Sequence, residues 1–180
     1  EDRYIFGFEE SYGYLAGSYV RDKDAVVASM LICEMAAFYR TKGISLIQAR
    51  ENMYKKYGVY VHSQSSFVCE GVTGMERMKE IMSDLRTNTP KTIGGLTVTR
   101  LEDYLASTSV DTATGAKTML TLPKSDVLTF KLTDGASVII RPSGTEPKIK
   151  AYYTTTGTTK AEAAALEKTI SDDFAKILGF

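Results

Sequence analysis

Val127-Leu-Thr-Phe-Lys-Leu132-Thr-Asp134-Gly135-Ala-Ser137-Val-Ile-Ile-Arg141 is the stretch on which the fold turns. Two β-rich runs, 127–132 and 137–141, flank Asp134-Gly135. Both of those central positions tolerate positive φ, so the pair predicts a tight hairpin. C-terminal to it, Ile149 to Thr155 predicts another strand. Thr159-Lys-Ala-Glu162 then reads as a capping box for a helix with the stripe Ala163, Leu166, Ile170, Phe174 and Ile177, stopped by Gly179. N-terminal to the hairpin, residues 105–118 are rich in Ser, Thr, Ala and Gly and read as a mobile excursion. Leu96 to Arg100 and Val59 to Val68 predict strands. Thr73-Gly-Met-Glu76 reads as a second capping box, with Met75, Met78, Met82 and Leu85 at helical spacing. A methionine stripe of this kind packs a helix onto a sheet more often than it forms a binding groove. Strands and helices are grouped rather than alternating. The expected class is therefore α+β, an antiparallel sheet with helices on one face.

Upstream of Gly58 the pattern changes. Residues 4–8 read as a short strand emptying into a glycine- and tyrosine-rich loop, Gly7 to Gly17. Asp22 and Asp24 stand where caps and first-turn carboxylates favour a helix, and Asp24 to Tyr39 is apolar on nearly every face. A more charged amphipathic helix follows from Ser45 to Tyr57. A domain boundary is expected near residue 58. Residues 1–57 hold too little to close their own core, and their exposed apolar surface is expected to find a partner, a second copy included. The chain starts at Glu1 with no initiator methionine, which reads as a cut from a longer polypeptide.

The 180 residues are 43% hydrophobic, and 22 basic residues balance 22 acidic ones. No basic stripe or excess is present, which argues against nucleic acid and anionic membrane as partners. Cys33 and Cys69 lack any zinc-like spacing with the single histidine, His62, and read as reduced thiols. No signal peptide opens the chain. The most apolar run, Ala25 to Ala37, contains Glu34 and is too short to span a bilayer. A soluble, cytoplasmic protein is expected.

The strongest chemical signal is Arg141-Pro-Ser-Gly-Thr-Glu-Pro-Lys-Ile-Lys150, a loop between two predicted strands. Gly144 lets backbone approach a ligand, and Pro142 and Pro147 stiffen the ends. Ser143 and Thr145 bring hydroxyls, and successive N–H groups can form an anion-binding nest. Arg141 offers a planar fork matched to two phosphate oxygens, and Lys148 and Lys150 add charge. Spacing alone leaves equally open an ordinary Pro/Gly loop with solvated lysines. The loop is neither a Walker motif nor a dinucleotide fingerprint.

A second cluster is Gly7-Phe-Glu9-Glu-Ser11-Tyr-Gly-Tyr14. Glu9 and Ser11, two apart, point to one side of an extended loop. A carboxylate accepting two hydroxyl hydrogens fits a vicinal diol, and the serine adds one more bond. Glu10 points the other way. Metal binding is disfavoured, since no third oxygen ligand lies at loop spacing. Lys23 lies near a helix N-terminus, where the dipole lowers a lysine's pKa, and so is a candidate for proton transfer. A solvated helix start is the plainer alternative.

Together, Phe6-Gly-Phe-Glu-Glu-Ser-Tyr-Gly-Tyr-Leu15, Tyr19-Val-Arg-Asp-Lys-Asp-Ala25 and Arg141 to Lys150 resemble the α-D-phosphohexomutase family. The resemblance implies that residues 1–57 are the end of an α/β, sugar-binding third domain. It implies that residues 58–180 are a phosphate-binding, TBP-like fourth domain. It assigns Glu9, Ser11 and Lys23 to the sugar. Arg141, Ser143, Gly144, Thr145 and Lys150 would hold the phosphate that is not transferred. The family's catalytic serine lies in a Ser-His-Asn-Pro loop and its magnesium in an Asp-x-Asp-x-Asp loop. Neither pattern occurs in this chain. The resemblance thus implies recognition without the reactive centre. Magnesium and a hexose 1,6-bisphosphate belong to the longer enzyme, the metal finds no ligands here, and the missing N-terminal domains and a phosphosugar are the partners. A stand-alone sugar-phosphate-binding module would share every one of these features. A nucleic-acid or protein interaction domain is the third reading, opposed by the charge balance.

Overall fold

A computed structural model describes residues 3–9, 12–71, 73–144 and 146–180. The chain divides into two units, residues 1–57 and 58–180.

In the first unit, β1 (Phe6–Phe8) pairs antiparallel with β2 (Tyr14–Ala16), followed by helices α1 (Ala25–Thr41) and α2 (Leu46–Tyr57). Strands β1 and β2 therefore pair within the stretch expected as a loop from Gly7 to Gly17, with Phe8 opposite Tyr14 and their rings 6.3 Å apart. Strands of three residues show too few alternations for a period of two to register. Asp24 caps α1, its Oδ1 accepting from the amides of Val26 at 2.8 Å and Val27 at 3.2 Å. Asp22 is not a cap. Its carboxylate accepts from the Lys23 amide instead. Ser45 and Gln48 close a reciprocal box at the start of α2, the Gln48 amide donating to Ser45 Oγ and the Ser45 amide to Gln48 Oε1. Neither helix buries a single residue.

The second unit is built on one large antiparallel sheet. Its elements are β3 (Val59–Val68), α3 (Gly74–Thr87), β4 (Thr92–Ile93), β5 (Leu96–Asp103), β6 (Thr108–Asp111), β7 (Lys117–Met119), β8 (Leu128–Leu132), β9 (Ser137–Pro142), β10 (Lys148–Gly157) and α4 (Lys160–Ile177). Strand order is β3-β10-β9-β8-β5-β6-β7, with β4 pairing on β5. The turn between β8 and β9 holds Asp134 at φ 56° and Gly135 at φ 72°, the left-handed pair that the Asp-Gly signal requires.

Alternation decides what each face meets. Ile149, Ala151 and Tyr153 of β10 and Val138 and Ile140 of β9 are buried in one core with Met78, Met82 and Leu85 of α3 and Ile170 and Phe174 of α4. Phe174 meets Phe130 and Tyr153 edge-on, with centroids 5.8 and 6.3 Å away. Both helices therefore cover the same face. The opposite face of β9 and β10 carries Arg141, Lys150 and Tyr152. The methionine stripe is core, except that Met75 stands 46% exposed. In α4 the stripe turns so that Leu178, not Ile177, is buried.

Two further expectations are corrected. Residues 105–118 do not form a mobile excursion: β6 and β7 pair there and widen the sheet. Asp111 ties their turn, its carboxylate accepting from the amides of Ala113 and Thr114 and from the Thr114 hydroxyl. Its carboxyl is accordingly held below the ordinary aspartate range, first by the Thr114 amide. Threonine-rich composition was compatible with strand as well as loop. The box at Thr73 is also absent. Thr73 has φ −90° and ψ 5°, not the extended backbone of a cap, and its side chain makes no capping bond. Thr159 is extended, and both reciprocal bonds with Glu162 form.

Candidate functional site

In the second unit the Pro/Gly loop joins β9 to β10, and the ladder register brings its cations together. Lys150 lies directly opposite Arg141 on β9 and opposite Ser66 on β3. All three are on the face without helices. Gln64 Nε2 donates to the Ser66 hydroxyl at 3.2 Å. The Arg141 guanidinium lies over the Tyr152 ring, Cζ 5.8 Å from its centroid. Like charges directly opposite each other weaken a sheet, and here the charge of Lys150 also acts on Glu146 in the same loop.

The loop does not present every donor the sequence offered. The Ser143 amide donates to Lys148 O at 2.8 Å, so it completes the ladder and is not part of an anion nest. Lys148 pairs with Glu146, whose carboxyl is lowered first by that hydrogen bond, so Lys148 adds no net charge to the site. Gly144 does not need its missing side chain for internal reasons, since an added Cβ would meet nothing within 4 Å. Thr145 lies outside the described residues.

In the first unit the Glu9 amide donates to Gly13 O at 2.8 Å and closes the tip of the hairpin, with Tyr12 at φ 63°. Lys23 folds over this tip. Its stem passes so close to Gly13 that an added Cβ would sit 2.1 Å from Lys23 Cδ. The Lys23 ammonium is 2.9 Å from Asp22 Oδ1 and 3.5 Å from Glu9 Oε1. Glu9, Gly13, Arg21, Asp22 and Lys23 line one cleft of about 330 Å³. Ser11 and Glu10 lie outside the described residues.

These contacts correct the expected chemistry of Lys23. Its pKa is raised, first by the hydrogen bond to Asp22 and then by the charges of Asp22 and Glu9. Two carboxylates at contact outweigh a helix dipole that Asp24 already caps. Sequence reasoning missed Asp22 as the lysine's partner because its place before a helix spoke for a cap. It missed Ser66 and Tyr152 because only strand register puts Ser66 beside Lys150 and Tyr152 diagonal to Arg141.

Among the described residues, no group of three or more His, Cys, Asp or Glu side chains could hold a metal ion. These residues do not fit the magnesium implied for the longer enzyme, and no part of this chain's chemistry is assigned to it. No described helix is long and apolar enough to cross a membrane.

Comparison with known proteins finds two family models. The phosphoglucomutase/phosphomannomutase alpha/beta/alpha domain III matches residues 1–57, and the phosphoglucomutase/phosphomannomutase C-terminal domain matches residues 77–172. A phosphoglucomutase of Staphylococcus aureus is 40% identical over 148 residues, covering 82% of this chain and 27% of that protein. One of Staphylococcus epidermidis is 37% identical over 152 residues, covering 84% and 28%. The chain thus spans little more than a quarter of the length of the curated relatives it matches. Among solved structures, the open form of the exocytosis-sensitive phosphoprotein parafusin, a phosphoglucomutase from Paramecium, superimposes with TM-score 0.63 at 18% identity, covering 95% of this chain and 29% of that one. At that identity the likeness is one of fold.

Proposed function

Since the chain belongs to the phosphoglucomutase/phosphomannomutase family, we propose that it is the substrate-recognition part of a phosphohexomutase. The longer enzyme would interconvert hexose 1-phosphate and hexose 6-phosphate. A phosphoserine outside this chain donates to the free hydroxyl, and the 1,6-bisphosphate returns its other phosphate to the serine. Such a cycle needs a protein that reads the sugar in two opposite orientations. Residues 1–57 serve the sugar hydroxyls through Glu9 and Ser11. Residues 58–180 serve the phosphate that is not reacting, through Arg141, the 143–145 loop and Lys150. Neither element depends on which end of the sugar reacts.

The observation that carries this reading is the facing pair of Arg141 and Lys150 at the mouth of a loop with a bare Gly144. A dianionic phosphate can meet both cations at once, and the guanidinium fork adds paired charge-assisted bonds. Lys23, whose pKa is raised by Asp22 and Glu9, serves the sugar as an ammonium donor. The wide apolar surface of α1, with Val26, Met30, Ile32, Met35 and Phe38 exposed, awaits cover from the rest of the longer polypeptide or from a second copy.

Amide NMR of the chain titrated with glucose 6-phosphate, mannose 6-phosphate and free glucose tests the assignment. Both phosphosugars should move resonances of residues 141–150, and free glucose should leave them in place. A coupled assay with magnesium and bisphosphate activator should find no turnover by this chain alone. Turnover without any other polypeptide, or phosphosugar shifts confined elsewhere, would defeat the proposal.

A further inference from the structure

Tyr152 is two residues beyond Lys150 on β10, on the same face, and opposite Ile139 and Gln64 in register. It is thus the diagonal neighbour of Arg141, a separation that aromatic and long side chains readily bridge. The guanidinium uses the contact, with Cζ 5.8 Å from the ring centroid. We propose that Tyr152 is a positioning residue that holds the Arg141 guanidinium ready for phosphate. The inference rests on the reading of Arg141 as a phosphate ligand.

Three features carry it. A guanidinium held over a ring by a cation–π contact uses none of its five N–H groups there, so they stay available to an incoming anion. An arginine pinned in this way loses less rotamer freedom when the anion arrives, which is the general advantage of preorganisation. The cross-strand neighbours Ile139 and Gln64 carry no charge, so the register offers the guanidinium a ring there and no carboxylate. The ring, not the phenol, makes the contact. Phenylalanine should replace it, and an aliphatic residue should not.

The test measures inorganic phosphate binding to the 180-residue chain by NMR titration. Tyr152→Phe should match the parent. Tyr152→Leu should bind about two- to fivefold more weakly, the range set by a solvent-exposed cation–π contact. Where leucine lowers the sheet's thermal stability, Tyr152→Val takes its place, since a β-branched residue keeps the strand. In an Arg141→Ala background, Tyr152→Leu should have no further effect, which separates positioning from general damage. Equal or tighter binding by the leucine variant would overturn the inference, because the ring would then park the arginine away from the anion. So would an equal loss with and without Arg141. If Arg141→Ala itself leaves phosphate affinity unchanged, the fault lies in the phosphate reading of the loop. If Arg141→Ala weakens binding and Tyr152→Leu does not, only the positioning role fails.

Discussion

Among the described residues, every buried apolar side chain lies between Phe67 and Leu178, whereas α1 and α2, about as long as the helices of the second unit, bury none. The second unit's helices divide apolar from polar positions, so one sheet face is enough to cover them. Helix α1 is apolar all round, and the hairpin beside it covers only part. Composition alone does not distinguish them, because α1 is the more apolar helix and the less buried. What separates the two units is whether each apolar stripe has a surface to meet. The same division runs through their candidate binding elements. The Glu9 loop contains cation and carboxylates in contact with one another. The Arg141 loop sets two cations face to face.

The sharpest way to break this comparison is to delete an aromatic ring from each unit. Phe174→Ala removes a fully buried ring wedged against Phe130 and Tyr153 and should cost about 3–5 kcal/mol. Phe38→Ala removes a ring that is 56% exposed and should change stability by no more than about 0.5 kcal/mol. Urea unfolding at constant m-value measures both. Similar losses would mean that α1 is covered after all, for instance by self-association. Unfolding at several chain concentrations would then reveal it.

The next largest effect contrasts two cations of one loop. Arg141→Ala should weaken phosphate binding by at least one charge-assisted bond, about 1.5–3 kcal/mol. Lys148→Ala should change it little, since Glu146 already neutralises that ammonium. Calorimetric titration of the chain with phosphate ranks them. Equal losses would put Lys148 among the anion's ligands and the Glu146 pair among contacts that open on binding.

How much of this was legible beforehand depended on whether the signal was local. The Asp134-Gly135 turn, the strand from Val59 to Val68, the Thr159 cap and the boundary at Gly58 each rest on neighbours in sequence, and each pattern lies within the element it predicts. The facing of Arg141 and Lys150, the reach of Tyr152 and the place of Ser66 opposite Lys150 rest on register between strands, which no local pattern encodes. Between these extremes lies the motif Thr-x-x-Glu. It occurs at Thr73 and at Thr159, but only Thr159 has the extended backbone that aims its hydroxyl at the third amide. Thr159→Ala should therefore cost about 1 kcal/mol, and Thr73→Ala should stay within about 0.5 kcal/mol. Thermal unfolding of the two variants side by side decides it. Equal shifts would mean that Thr73 caps its helix in solution.

The smallest effect concerns the charge of Lys23. Its pKa is raised, first by the hydrogen bond to Asp22, while the Asp22 carboxyl is lowered, first by the same hydrogen bond. The signs fix the window. A lowered carboxyl contributes above its unfolded pKa and loses that contribution as pH falls through the folded value. A raised ammonium contributes fully below its unfolded pKa and loses that contribution as pH rises through the folded value. The cluster should thus stay intact from mildly acidic to mildly alkaline pH, and salt should weaken it because the groups are exposed. Observed through its Cε resonance, Lys23 should titrate above the ordinary lysine range in the parent chain. In Asp22→Asn it should fall back toward that range, with Glu9 at 3.5 Å retaining part of the shift. A Lys23 that titrates near neutrality would restore it as a proton carrier, as its place before a helix first implied. One that titrates high leaves the Glu9 cleft with a positive charge at neutral pH, where hexose phosphates are dianions.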